Sequence, residues 1–208
     1  ISFHGNLGYV GLAVCFYLLG REGFARASIL AGFLMLLQNV LAVAGLQVFS
    51  GSGENGPRLK AAARKVVANP VIGSALAGIL FSMTGLGLPE ALDRALAIIS
   101  GMALPLALLI IGASISFGLI KSHLGPVLAA GLLKLCVLPA LGLLAYRLLG
   151  LPKDTFLPGL ILLAAPTATI TYVMAGEMQG STDLASAAVS MNTLLSAFSY
   201  IFWLSWFL

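Results

Sequence analysis

Charge is scarce in this chain. Only 9% of its 208 residues are Asp, Glu, Lys or Arg, while 60% are hydrophobic and the mean hydropathy is +1.05. A soluble domain carries roughly 25% charged residues, so water alone would not keep this chain in solution. Carboxylates are rarest: Glu22, Glu54, Glu90, Asp93, Asp154, Glu177 and Asp183 lie between apolar runs or at their ends, none well inside one. That argues against a carboxylate proton relay within this stretch. Histidine is limited to His4 and His123. No HExxH, GxSxG or paired-carboxylate arrangement is present, so no catalytic residue, metal ligand or cofactor is assigned, and an enzyme is disfavoured. The two cysteines, Cys15 and Cys136, both sit in apolar runs. They form neither a disulfide framework nor a metal-ligand spacing and read as small buried hydrophobes. Segments of alternating hydrophobicity are missing, which argues against a β-barrel. There is no ATP-binding motif, so energy for any work must come from a gradient or the membrane potential.

What is abundant is apolar sequence in runs of about 20 residues, the length that spans a bilayer as a helix. The fold class read from this pattern is an all-α polytopic membrane protein. Seven spans are expected, at roughly 3–20, 26–49, 68–85, 92–117, 124–149, 155–176 and 183–207. They must be helices, because lipid offers no partner to an open backbone. Proline at 70 suits the first turn of the third span. The net charge of +4 and pI near 9.3 fit basic loops that bias membrane orientation better than nucleic-acid binding. Basic loop residues divide evenly between the two sides, but Arg58, Lys60, Arg64 and Lys65 form the one dense cluster. The 50–66 loop is therefore placed in the cytoplasm. The chain begins at Ile1 within or beside an apolar run, and is read as lacking a native N-terminal part.

Helix breakers at span centres carry the functional signal. In "LILLAAPTATITYVMAGEMQG", residues 160–180, an unbroken apolar run meets Pro166 and then Thr167, Thr169, Thr171 and Tyr172. Proline removes one N–H and clashes with the carbonyl one turn back. The polar groups it frees survive at the midplane only where protein satisfies them or where they line a cavity. Such breaks hold ions and anions in transport proteins; the plainer alternative is a proline kink with threonines bonded back to the helix. "FHGNLGYVGLAV" places Asn6, Gly8 and Gly11 together and could form a second interrupted helix, or a small-residue packing face. Lys134 is the one basic residue deep in a span. It reads either as a counter-charge or cation substitute, or as a side chain snorkelling to a surface. Asn39 and Asn192 could face a site or join helices, Gln38 reads as interhelical glue, and Ser114 and Ser116 as packing residues. Glu177 is placed at the membrane surface.

Four separated motifs, "NPVIGSALAGIL", "ISGMALPLALLIIGASI", "LLKLCVLPAL" and "LLAAPTATITYVMAGEM", resemble the auxin efflux carrier family of permeases. "NLGYVGLAV" and the second span extend the resemblance over essentially the whole chain. The family is similar to the plant PIN-formed carriers and shares its architecture with bile acid sodium symporters. The resemblance implies a ten-helix protein of two inverted five-span repeats with broken crossing helices. This chain would then hold family spans four to ten. Residues 1–49 would end the first repeat, 50–66 would link, and 67–208 would form the second. The break at Pro166 falls in the ninth span, as the family pattern asks. In the fourth span, Ala13 stands where the family usually has proline.

The reading that follows is a secondary transporter of small organic anions, such as dicarboxylates or auxin-like acids, working by alternating access and with export as the family expectation. Its substrate site would be formed by Asn6, Gly8, Gly11, Pro166, Thr167, Thr169, Thr171 and Tyr172. Lys134, Asn39 and Asn192 are candidates for charge or ion coupling. Its partners are the substrate anion and the lipid bilayer, not nucleic acid; a homodimer is left open. The expected location is a bacterial cytoplasmic membrane. The alternatives are a seven-helix receptor or sensor without net transport, and a channel.

Overall fold

The computed structural model describes residues 1–49, 70–113, 115–177 and 180–207. The expected 50–66 loop and Ser114 lie outside the described residues.

The chain begins extended, enters a wide helical turn at Leu7–Gly11 and continues as α1 (Leu12–Phe49). Inside α1, Gly20 has φ 66° and ψ −164°, a region open essentially to glycine alone. There the chain doubles back. His4 meets Asn39 and Gly5 meets Gln38, each at 2.9 Å, and Gly8 lies against Met35. These pairs share one antiparallel register. The first two expected spans are thus the two limbs of a helical hairpin.

Two helices follow, α2 (Pro70–Met83) and α3 (Glu90–Ala113). The fourth expected span was drawn to 117, but α3 stops at Ala113. Ser116 is extended (φ −121°, ψ 99°) and gives its N–H to the Ser190 hydroxyl at 3.0 Å instead of continuing the helix. A short α4 (Phe117–Ser122) leads into α5 (Leu124–Leu132), a second wide turn at Leu133–Val137, and α6 (Leu138–Leu148). Gly150, at φ 64°, closes α6: its N–H bonds the Arg147 carbonyl and the Leu151 N–H bonds the Tyr146 carbonyl, the glycine-terminated helix end that satisfies the last carbonyls. The sixth expected span is split into α7 (Lys153–Leu163) and α8 (Ile170–Glu177). Finally, Ser181 caps α9 (Thr182–Leu204) by accepting the Leu184 N–H at 3.2 Å.

The core forms around α7. Phe156, Leu157, Leu160, Ile161 and Leu162 are all buried, as in a helix that is apolar on every side. The hairpin limbs cover it with Leu7, Val10, Cys15, Ala27 and Ala31, and α9 covers it with Tyr200 and Leu204. Small residues permit this approach: a Cβ at Gly159 would collide with the Tyr146 hydroxyl and meet Leu30 at 3.1 Å.

Two helix prolines show how the fold satisfies a broken ladder. Pro158 cannot donate to the Asp154 carbonyl four residues back; Arg26 Nη1 donates to it at 3.1 Å. Pro139 cannot donate to the Leu135 carbonyl; Ser199 Oγ and Trp203 Nε1 of α9 both do, at 2.8 Å. In each case a side chain from another helix supplies the missing donor.

Among the described residues, three stretches are long and apolar enough to cross a membrane: Leu7–Ala42, which contains the hairpin, Leu124–Leu148 and Thr182–Leu204. The outer surface is apolar, with Tyr17 70%, Phe33 69% and Leu148 79% exposed. Side chains of this kind are stable outward when the surroundings are lipid. The protein is a helical membrane protein.

Candidate functional site

The break at Pro166 and the extended N-terminal stretch pair with each other. Asn6 donates its N–H to the Pro166 carbonyl at 2.7 Å, and Ala168 donates its N–H to the His4 carbonyl at 2.9 Å. Between these bonds Gly5 and Thr167 face each other as an antiparallel bridge. Two unwound segments, far apart in sequence, thus cross inside the protein and satisfy each other's backbone groups. The Gln38 amide extends the pairing on the other side of Gly5, accepting its N–H at 2.9 Å and donating to its carbonyl at 3.2 Å.

The carbonyls at the end of α7 explain why a helix tolerates this break. Leu160 accepts from the Ala164 N–H at 2.9 Å and Leu162 from the Ala165 N–H at 3.3 Å. Ile161 accepts from the Tyr200 hydroxyl at 3.3 Å. Leu163 would have bonded the Thr167 N–H in a continuous helix, but Thr167 is extended; the Lys134 ammonium donates to this carbonyl at 2.7 Å. Each of the last four carbonyls has found a donor, as buried backbone groups require.

Lys134 is 1% exposed. It sits in the wide turn Leu133–Val137, a helical irregularity that often marks functional sites. Its head group lies beneath Gly5, where an added Cβ would be 3.1 Å from Nζ. No carboxylate pairs with it: the ion pairs among the described residues are Arg26–Glu22 and Arg94–Glu90, both on the surface. A charge at mid-membrane costs about 2.5–3.5 kcal/mol on insertion scales. One neutral carbonyl and the partial negative end of a helix, worth roughly 0.3–1 kcal/mol at a surface and up to about 2 kcal/mol when partly buried, offset only part of that. The crossing therefore buries a lysine head group that has no carboxylate partner.

Around it, Asn192 Nδ2 donates to Thr167 Oγ1 at 2.7 Å, and Thr167 Oγ1 donates to the Ile1 carbonyl at 2.9 Å. Asn6 Oδ1 caps the Leu7–Gly11 turn by accepting the Tyr9 N–H at 3.2 Å. Among the described residues, three buried side-chain polar atoms have no partner: His4 Nδ1, Asn6 Nδ2 and Asn192 Oδ1. Buried groups left in this way are costly, about 1–3 kcal/mol each, so their concentration at one crossing points to a site that a ligand or water completes.

Of the expected site residues, the crossing brings together Asn6, Pro166, Thr167, Lys134 and Asn192, with Asn39 joined through His4. Gly8 and Gly11 lie in the helical turn after the extended stretch. Gly11 serves close packing, since a Cβ there would be 2.9 Å from Leu162 Cδ2. Thr169 is half-buried at the start of α8, Thr171 turns back to the Ala168 carbonyl at 2.7 Å, and Tyr172 is 50% exposed. His4 and Gly5 were not singled out from sequence, and Gln38 was read as glue; no local pattern marks any of them.

Two unwound segments that pair inside a helical membrane protein are a feature that broken-helix transport proteins use. A family profile described as "Membrane transport protein" matches residues 57–204. The chain belongs to that family, the permeases that its motifs resemble. It is 26% identical over 198 residues to an "Uncharacterized transporter" from Methanothermobacter thermautotrophicus, an alignment covering 95% of this chain and 63% of that protein. It is 28% identical over 199 residues to a Rhizobium meliloti protein provisionally named a malonate transporter, covering 93% of this chain and 61% of that protein. The chain thus spans less than two thirds of the length of either relative. No solved structure matches it.

Proposed function

We propose that the full-length protein is a secondary transporter of small organic anions that works by alternating access, with its substrate site at the crossing of residues 4–6 and 166–168. The observation that carries this reading is the buried Lys134 ammonium, which lacks a carboxylate partner and lies beside polar groups with unused hydrogen-bonding capacity. An entering carboxylate would supply the missing negative charge. Asn6, Thr167 and Asn192 are assigned to substrate binding, and Pro166 to keeping the segment unwound. Gly8 and Gly11 permit the close helix contacts, while Thr169, Thr171 and Tyr172 line the approach along α8. Asn39 acts through His4. In this reading the chain contributes seven spans of a ten-helix inverted repeat, with 1–49 closing the first repeat, 67–208 forming the second and the 50–66 linker in the cytoplasm. A bacterial cytoplasmic membrane is its setting. The name of the Rhizobium relative makes malonate the first substrate to try, with malate and an indole carboxylic acid beside it.

The test is efflux of these radiolabelled anions from liposomes containing the full-length protein. Saturable efflux, reduced by Pro166→Ala and Thr167→Val in variants that remain folded, is expected. Binding without net flux would indicate a sensor, and flux without saturation or counterflow a channel; either result overturns the proposal.

A further inference from the structure

We infer that Lys134 is a tethered substitute for a coupling cation, so that anion transport by this protein proceeds without sodium or another alkali ion; the inference rests on the carrier reading above. In broken-helix carriers, freed carbonyls and the C-terminal ends of half-helices coordinate the coupling cation, because the helix dipole concentrates partial negative charge there. Here that position is the end of α7. Its Leu163 carbonyl is released by the break at Pro166 and receives the Lys134 ammonium at 2.7 Å. The three carbonyls before it are engaged by Ala164, Tyr200 and Ala165. The end of the half-helix therefore offers no bare oxygen cage to a free ion.

Space points the same way. Gly5 lacks the side chain that would crowd the head group: a Cβ there would be 3.1 Å from Lys134 Nζ and 3.2 Å from Cε. The ammonium carries the same single positive charge as sodium and is held by a covalent stem, so no dissociation step returns it to water. A carrier that depends on sodium binds its counter-charge anew in each cycle. Here the head group stays tethered at that position throughout the cycle.

The experiment uses the full-length protein in liposomes, with the best-transported anion among malonate, malate and indole-3-acetate. Flux is measured with sodium, and with sodium replaced on both sides by N-methylglucamine. No loss of wild-type flux is expected. Lys134→Ala should lose flux by at least about tenfold, equivalent to 1.4 kcal/mol, and methylammonium or sodium should restore part of it in a concentration-dependent way. Wild-type flux that requires sodium overturns the inference and leaves the carrier reading standing, as does Lys134→Ala retaining wild-type flux with no added cation. If that variant does not fold, the wild-type sodium comparison decides alone. Absence of saturable wild-type flux for every anion overturns the carrier reading and the inference with it.

Discussion

Replacing Gly131 with alanine should destabilise the protein, although alanine is the better helix former. Gly131 lies one turn before Lys134 and packs against Asn192, which is fully buried. A Cβ at this position would stand 2.6 Å from Asn192 Oδ1 and 3.6 Å from its Cγ. The helix gains about 1 kcal/mol from the exchange. Overpacking costs about 1–3 kcal/mol. If Asn192 swings aside, its hydrogen bond to Thr167 is lost as well, and such bonds between membrane helices average about 0.6 kcal/mol and reach about 1.7 kcal/mol. The balance is a net loss of about 1–3 kcal/mol. The assay is reversible unfolding of the full-length protein in mixed micelles. Asn192→Ala removes the clash, so the double variant should be more stable than the sum of the single effects predicts, by about 1 kcal/mol or more. A Gly131→Ala protein as stable as wild type, or strictly additive effects, would refute the packing described here.

Three further outcomes follow from the same geometry. Ser199→Ala and Trp203→Phe should each be mild, because the other donor still serves the Leu135 carbonyl; together they orphan it and should cost about 1–3 kcal/mol, read as non-additivity in the same unfolding assay. Gln38→Leu removes both bonds to the Gly5 backbone and should speed amide exchange over residues 1–6, measured by mass spectrometry, with a stability loss of about 1–2 kcal/mol. Gly20→Ala forces a side chain into a glycine-only conformation and should destabilise by about 1–3 kcal/mol; an unchanged melting temperature would contradict the hairpin turn.

The parts of this account legible in the sequence are those with a local cause. Pro166 followed by alternating threonines marked a break in an apolar run, so the split of the sixth span was readable, as was Lys134 from its isolation in an apolar run. The crossing was not readable from the residues alone. It joins His4–Asn6 to Pro166–Ala168 through backbone groups, and backbone pairing between distant breaks leaves no periodic trace. The first break also lies earlier than the glycines suggested, at His4–Asn6, because Asn6 caps a helix that then runs through Gly8 and Gly11. Tyr172, close to Pro166 in sequence, sits half exposed on α8. Gln38, read as interhelical glue, does join the two limbs, but through the Gly5 backbone, which its amide bonds on both sides in the hairpin register that Gly20 creates.

The most direct test of the crossing as the transport site is a reversible cross-link. In full-length protein with Cys15 and Cys136 replaced by alanine, His4→Cys and Ala168→Cys are introduced together. Opposed positions of an antiparallel pair lie about 4.5–5.5 Å apart between Cα atoms, within disulfide reach. The account predicts that oxidation joins the two cysteines and stops malonate flux in liposomes, and that a reductant restores it, while neither single-cysteine protein responds. Failure to cross-link, or undiminished flux through the cross-linked protein, would contradict it.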